Sequence, residues 1–158
     1  MAAHIRKVNP RDSASDVGGE SASHQHRILR TGVPFGPQRE DLKAPPKLGE
    51  PERGQLFLCL QASIEAQFEF LQSRWMNHDM RPKSPGGHDM LAGRVPAAGA
   101  GPRQCTLFGA QKQQQQVSAS KPFITSSGGG YFFVPSLSAL KRELSASGKC
   151  QPPAPAPQ

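Results

Sequence analysis

Five histidines (His4, His24, His26, His78 and His88) are the side chains best suited to bind a metal or move a proton near neutral pH. Their spacing excludes the common zinc sites: there is no HxxxH on a helix, no HExxH, and no Cys/His combination at finger spacing. His24 and His26 lie one residue apart in a Ser-rich stretch, a surface arrangement. His4 stands in Ala3-His4-Ile5-Arg6-Lys7-Val8-Asn9-Pro10-Arg11, among small apolar and basic residues. Two readings are open to it: a surface or packed histidine, or an axial ligand to haem iron. A haem needs an imidazole on iron, cations for its propionates and an apolar wall. Peroxide chemistry adds a cation to stabilise charge as the O–O bond breaks, and a group that moves a proton. Arg27 and Arg30, in His26-Arg27-Ile28-Leu29-Arg30, offer that cation.

Other chemistries find no support. The chain has no nucleophile elbow, P-loop or paired-carboxylate signal, and Gly128-Gly129-Gly130 lacks the following Lys-Ser/Thr of a phosphate cradle. Its net charge of +7 is uneven: residues 81–158 hold 9 basic and 2 acidic groups. The cations there (Arg81, Lys83, Arg94, Arg103, Lys112, Lys121) are scattered singly without interleaved aromatics. This reads as solvated basic surface, not as a nucleic-acid platform. Cys59, Cys105 and Cys150 make neither a disulfide framework nor a CxxC pair. A reducing, cytoplasmic location is therefore expected, and no apolar run is long enough for a membrane span or a secretory signal.

The elements that must position such residues are few. Gly and Pro number 16 each and hydrophobic residues make up 35 %, which limits the chain to a small core. Residues 55–60 form an apolar run opened by Gly54, expected as a buried strand. Ser63 is placed to cap a helix on which Ile64, Phe68, Leu71 and Trp75 share one face. Residues 1–26 read as a loop with at most a helical turn near His4, and residues 32–37 as a turn. Residues 81–121, with their Pro, Gly, Ala and Gln runs, read as a long low-complexity loop. Phe123-Ile124-Thr125 and Tyr131-Phe132-Phe133-Val134 predict a hairpin around a Gly-rich turn, followed by a helix from Ser136 through Leu137, Leu140 and Leu144.

Four blocks taken together are specific. They are residues 3–11; 26–30 with Gly32-Val33-Pro34-Phe35-Gly36; 52–59 through Ala62-Ser63-Ile64-Glu65-Ala66-Gln67-Phe68-Glu69-Phe70; and Gly128-Gly129-Gly130-Tyr131-Phe132-Phe133-Val134-Pro135-Ser136. In that order they resemble the C-terminal half of a dye-decolorizing (Dyp-type) haem peroxidase. The resemblance implies an α+β fold, one incomplete ferredoxin-like half of a two-domain, dimeric α+β barrel-type architecture with long loops. It divides the chain into a haem-ligand loop and connector at 1–53, a partial ferredoxin-like domain at 54–144, and a disordered tail at 145–158.

By the same resemblance His4 matches the iron ligand of haem b and Arg30 the distal arginine. Asp89, in His88-Asp89-Met90-Leu91-Ala92-Gly93, lies where the family often orients its histidine with an acid; a loop aspartate is the other reading. Arg6 and Arg11 match propionate partners, and Phe57 the distal pocket wall. The implied partners are hydrogen peroxide and an organic electron donor, with a missing N-terminal half or a second copy as structural partner. There are departures. The family's GxxDG motif has no counterpart in these residues, Gln55 replaces an aliphatic distal residue, and Thr31 follows Arg30 where a second arginine is common. The resemblance therefore predicts an iron ligand and a cation without the proton-shuttling acid, and weak or no turnover. Haem binding without catalysis, and a basic interaction module without haem, are the alternatives. Without an opposing half, Leu56, Phe68, Trp75 and Phe132 are expected to be exposed, which predicts association.

Overall fold

Helical punctuation begins at once. In the computed structural model of the 158-residue chain, residues 3–11, 13–38, 49–94, 102–111 and 113–144 are described. The first helix, α1, runs His4–Val8, opened by the amides of Arg6 and Lys7 on the Ala3 carbonyl and stopped before Pro10. A second short helix, α2 (Glu20–His24), follows in the stretch expected as loop. Its single turn has too little apolar periodicity to show in the sequence.

β1 (Leu29–Phe35) and β2 (Gly54–Leu60) pair antiparallel, with Leu29 opposite Leu60 and Phe35 opposite Gly54. The turn expected at 32–37 is thus mostly strand. Pro34 is tolerated because the ribbon has only two strands, each with an open edge. Gly32 is required by close approach: a Cβ there would meet the Gln55 carboxamide at 1.7 Å. β2 was expected to be buried, yet Leu56, Leu58 and Leu60 are all about half exposed. Among the described residues the ribbon gains no third strand, and on β2 the Phe57 ring stacks on the following helix, against Phe68.

Helical residues follow β2 as α3 (Ile64–Glu69) and α4 (Leu71–Met76), joined through Phe70 and wound largely as π-helix. Ser63 caps as its position implies: its Oγ accepts from the Ala66 amide at 3.1 Å. Of the expected apolar face, Leu71 and Trp75 are buried, while Ile64 and Phe68 are half-buried. Trp75, expected to be exposed, has no solvent contact; its indole Nε1 donates to Asp16 at 2.8 Å.

The stretch 81–121 is not simply a loop. Arg103–Phe108 (β3) and Gln114–Ala119 (β4) form an antiparallel hairpin closed by the Gly109 amide on the Gln113 carbonyl at 3.0 Å. The glutamine run hid β4 because it carries no alternating apolar signal. Its side chains instead bond across the ladder, Gln116 Nε2 donating to Gln104 Oε1 at 3.2 Å. β3 is the buried strand, with Arg103 and Cys105 inside.

Residues 126–144 belong to a separate unit, taken on its own. The expected hairpin is absent: neither 123–125 nor 131–134 is strand, and Phe132 and Phe133 are more than four-fifths exposed. Three consecutive glycines make ordering the intervening segment costly. The expected helix is present as α5 (Leu137–Ala139) and α6 (Leu140–Leu144), with Ser136 Oγ accepting from Ala139 N at 3.2 Å. The expected tail at 145–158 lies outside the described residues. The chain is α+β, as expected.

Candidate functional site

The interior of the first unit is unusual for its charges. Beside Leu71, Trp75 and Cys105, the side chains of Lys7, Asp89 and Arg103 are fully buried. Charged residues are rarely enclosed without dedicated partners, so each marks a place where the fold has arranged them.

His4 and Lys7 are three residues apart on α1 and so lie on adjacent helical positions. Lys7 Nζ donates to the carbonyls of His78 (2.9 Å) and Arg81, just beyond α4, and α1 packs against that helix. This anchor sets the rotation of α1 and therefore the direction of His4. Burial pulls the Lys7 ammonium down to about 8, opposed by the charges of Asp89, Asp79 and Cys105.

Asp89 is placed by backbone bonds on three sides. Its amide donates to the Met76 carbonyl at the end of α4 (3.0 Å), and the neighbouring His88 amide donates to Gln104 on β3 (2.6 Å). The Thr106 amide donates to the Gly86 carbonyl (3.2 Å), so residues 86–88 lie along β3. Only glycine fits at position 87: φ is +79° and a Cβ would fall 2.1 Å from the Gln104 carbonyl oxygen. Asp89 Oδ1 then accepts from the amides of Leu91 (3.0 Å) and Ala92 (2.8 Å), while Oδ2 faces His4 Nδ1 at 2.7 Å. Burial pushes the Asp89 carboxyl up, but the His4 hydrogen bond, the amides of Ala92 and Leu91 and the His4 charge outweigh it. The net effect holds it below its ordinary value.

A carboxylate accepting from Nδ1 fixes the imidazole as the tautomer whose Nε2 lone pair can bind a metal, and makes that nitrogen more basic. The ring is partly open, with about 30 % of its side chain exposed. Such an arrangement leaves one ring nitrogen able to bind a metal. Among the described residues no three His, Cys, Asp or Glu side chains gather as a metal cluster, so a protein-only metal site has no support here.

The remaining expected residues lie elsewhere. Arg30 is exposed on β1 opposite Cys59, and Phe57 lies on β2 opposite Gly32. Directly opposed residues share a face of a ribbon, so Arg30, Gly32, Gln55, Phe57 and Cys59 project to one side. Gly32 leaves the gap that the Gln55 carboxamide fills, and the Phe57 ring stacks with Phe68 at 6.1 Å. Arg6 is half-buried on α1 and Arg11 exposed after it.

Comparison with known proteins finds similar chains. The dye-decolorizing peroxidase msp1 of Mycetinis scorodonius is 33% identical over 92% of this chain and 29% of its own length. Dye-decolorizing peroxidase AauDyP1 of Auricularia auricula-judae is 34% identical over 92% of this chain and 29% of its own. The solved structure of an ancestral D-type dye-decolorizing peroxidase matches at TM-score 0.70 and 35% identity, covering 89% of this chain and 31% of that one. The proteins this chain is similar to are dye-decolorizing peroxidases. No family model matches it. It spans about a third of the length of the relatives it matches. A dye-decolorizing peroxidase solved in complex with 2,6-dimethoxyphenol is similar at TM-score 0.71 and 30% identity, over 91% of this chain and 31% of that one.

Several residues of this chain carry no signal in the sequence pattern. Arg103 was read as part of a solvated basic surface and Lys7 was given no role of its own, yet both are buried. Asp16, unremarked in the sequence, accepts from Trp75 Nε1 (2.8 Å) and Arg74 Nε (2.8 Å) and sits 3.4 Å from Arg81 Nη1. Burial raises its carboxyl, but the Trp75 and Arg74 hydrogen bonds and the charges of Arg74 and Arg81 lower it overall. Its backbone amide also holds the Pro82 carbonyl at 2.9 Å. A buried cation bonded only to carbonyls leaves no pairing signal in sequence.

Proposed function

We propose that this chain carries the iron-ligating side of a haem-dependent peroxidase that couples hydrogen peroxide reduction to one-electron oxidation of an organic donor. The observation that carries the reading is the 2.7 Å contact between His4 Nδ1 and the buried Asp89 carboxylate, which leaves Nε2 as the nitrogen that would hold haem iron. The donor chemistry fits haem b: one imidazole, with Arg6 and Arg11 on and just after the same helix as partners for propionates. Haem bound there supplies the electron transfer between peroxide and donor.

The residues have separable tasks. Asp89 holds the His4 tautomer and keeps a negative charge behind the ring. Lys7 and Arg103 keep the two backbone segments in register. Arg30 stabilises negative charge as peroxide is cleaved, and as an always-protonated guanidinium it cannot take the proton itself. Reducing one peroxide to two waters takes two protons and two electrons, the latter from two donor molecules. A proton-moving acid from outside these 158 residues completes the site. In this reading the ligand segment falls within residues 1–53 and a partial ferredoxin-like body within residues 54–144.

A second reading, haem binding without turnover, is favoured by the exposure of Arg30 on an open ribbon. The two are separated by peroxide-driven oxidation of a phenolic donor by the haemin-loaded chain. Turnover above that of free haemin, reduced at least about tenfold in Arg30→Ala, is expected of a peroxidase. Rates equal to free haemin in both proteins would leave haem binding alone.

A further inference from the structure

We propose that Arg103 is a positioning residue for the His4–Asp89 pair: its buried guanidinium clamps the turn at residues 89–93 and so aims the Asp89 carboxylate at the His4 ring. Arg103 has no solvent exposure. Its Nη1 donates to the carbonyls of Asp89 (3.4 Å), Met90 (2.9 Å) and Gly93 (3.0 Å), and its Nη2 to that of Lys121 (2.7 Å). Three of these four acceptors belong to one turn, closed by the Gly93 amide on the Asp89 carbonyl at 3.2 Å.

The turn is held at both ends. At its start Asp89 Oδ1 accepts from the amides of Leu91 and Ala92; at its end the carbonyls converge on the guanidinium. Negative charge at the start and positive charge at the end both suit the dipole of a helical turn. A carboxylate is planar, so fixing Oδ1 on two amides sets where Oδ2 points, and Oδ2 is the atom on His4. Gly93 makes the clamp possible, because a Cβ there would fall 2.4 Å from the Asp89 carbonyl oxygen.

The cost of this arrangement argues that it is more than packing. Arg103 Nε is buried without a hydrogen-bond partner, and the guanidinium is otherwise covered by the Phe123 ring at 5.8 Å. An apolar side chain would avoid both the buried charge and the orphaned donor. The fork holds the turn through Nη1 and the Lys121 carbonyl through Nη2 in one fixed plane, whereas a lysine offers a single nitrogen. The consequence for a bound haem rests on the function proposed above, whereas the effect on His4 does not.

The test is NMR of the isotope-labelled full chain without haem, comparing wild type with Arg103→Lys and with Asp89→Asn as the control that removes the acceptor charge. Wild type should show a slowly exchanging, hydrogen-bonded His4 Nδ1 proton. In Arg103→Lys that resonance should be lost and the Leu91 and Ala92 amides should exchange at least about tenfold faster, while the Trp75 indole proton on Asp16 keeps its shift. An unchanged His4 proton in folded Arg103→Lys overturns the proposal, even if the amides speed up, because Arg103 is then only structural. Should that variant unfold, native-state exchange of wild type decides: the His4 proton and the Leu91 and Ala92 amides must open together, and separate opening overturns it. Haemin titration of the wild type keeps the two ideas apart. No haemin binding with a freed His4 proton in Arg103→Lys sinks the function and leaves the positioning role.

Discussion

Asp89 bonds in two directions at once, to its own turn through Oδ1 and to His4 through Oδ2. Asp89→Asn keeps the shape but removes the charge, so haemin affinity should fall about 10–100-fold by Soret titration. Because the folded Asp89 and Asp16 carboxyls lie below their ordinary 3.8, their contribution is fully present above that value and lost as pH falls through the folded ones. Urea unfolding should therefore show stability falling below pH 4 or so, and falling less steeply in Asp89→Asn. Lys7 has the opposite dependence. Its folded value of about 8 lies below its ordinary 10.5, so between these the unfolded chain binds more protons and stability rises with pH. The Lys7 contribution to that rise is up to about 3 kcal/mol, and Lys7→Met should flatten it. At this scale the contact between His4 and Asp89 could be anticipated, because the motif around each resembles a known family. The burial of Lys7 and Arg103 could not, since carbonyl partners sit far away in sequence and leave no charge pattern.

Elements carry the geometry through backbone contacts more than through apolar layers. Residues 86–88 lie along β3, and that docking needs glycine at position 87. Gly87→Ala should lower stability by about 2–4 kcal/mol in urea unfolding. It should also displace Asp89, so haemin binding should weaken more than in a variant of equal stability changed elsewhere. The Ser63 cap and the face carrying Leu71 and Trp75 could be read directly, because capping chemistry and 3.6-residue periodicity are local signals. β1 and β4 could not. One carries Gly32 and Pro34, the other a glutamine run, and each is strand only because a partner strand supplies the ladder. Residues 131–134 are the opposite case: their aromatic, β-branched composition suits a strand, but they are exposed and do not form one.

As a whole, the chain spans about a third of its relatives' length and displays the apolar surface such a piece would be expected to show. Leu29, Val33, Leu56, Phe57, Leu58 and Leu60 on the β1–β2 ribbon are each about half exposed or more. Sedimentation should show concentration-dependent association, and Leu56→Lys with Leu58→Lys should reduce it. No helix among the described residues is long and apolar enough to cross a membrane. The expectation of exposed apolar faces was right for Leu56 and Phe132 and wrong for Trp75, which α4 turns inward onto Asp16. The most direct measurement is a haemin titration of the purified chain read by Soret absorbance, wild type beside His4→Ala. Saturable binding that disappears in His4→Ala is the expected result. Absence of binding by folded wild type, or identical binding by His4→Ala, would contradict an iron-ligating role for His4.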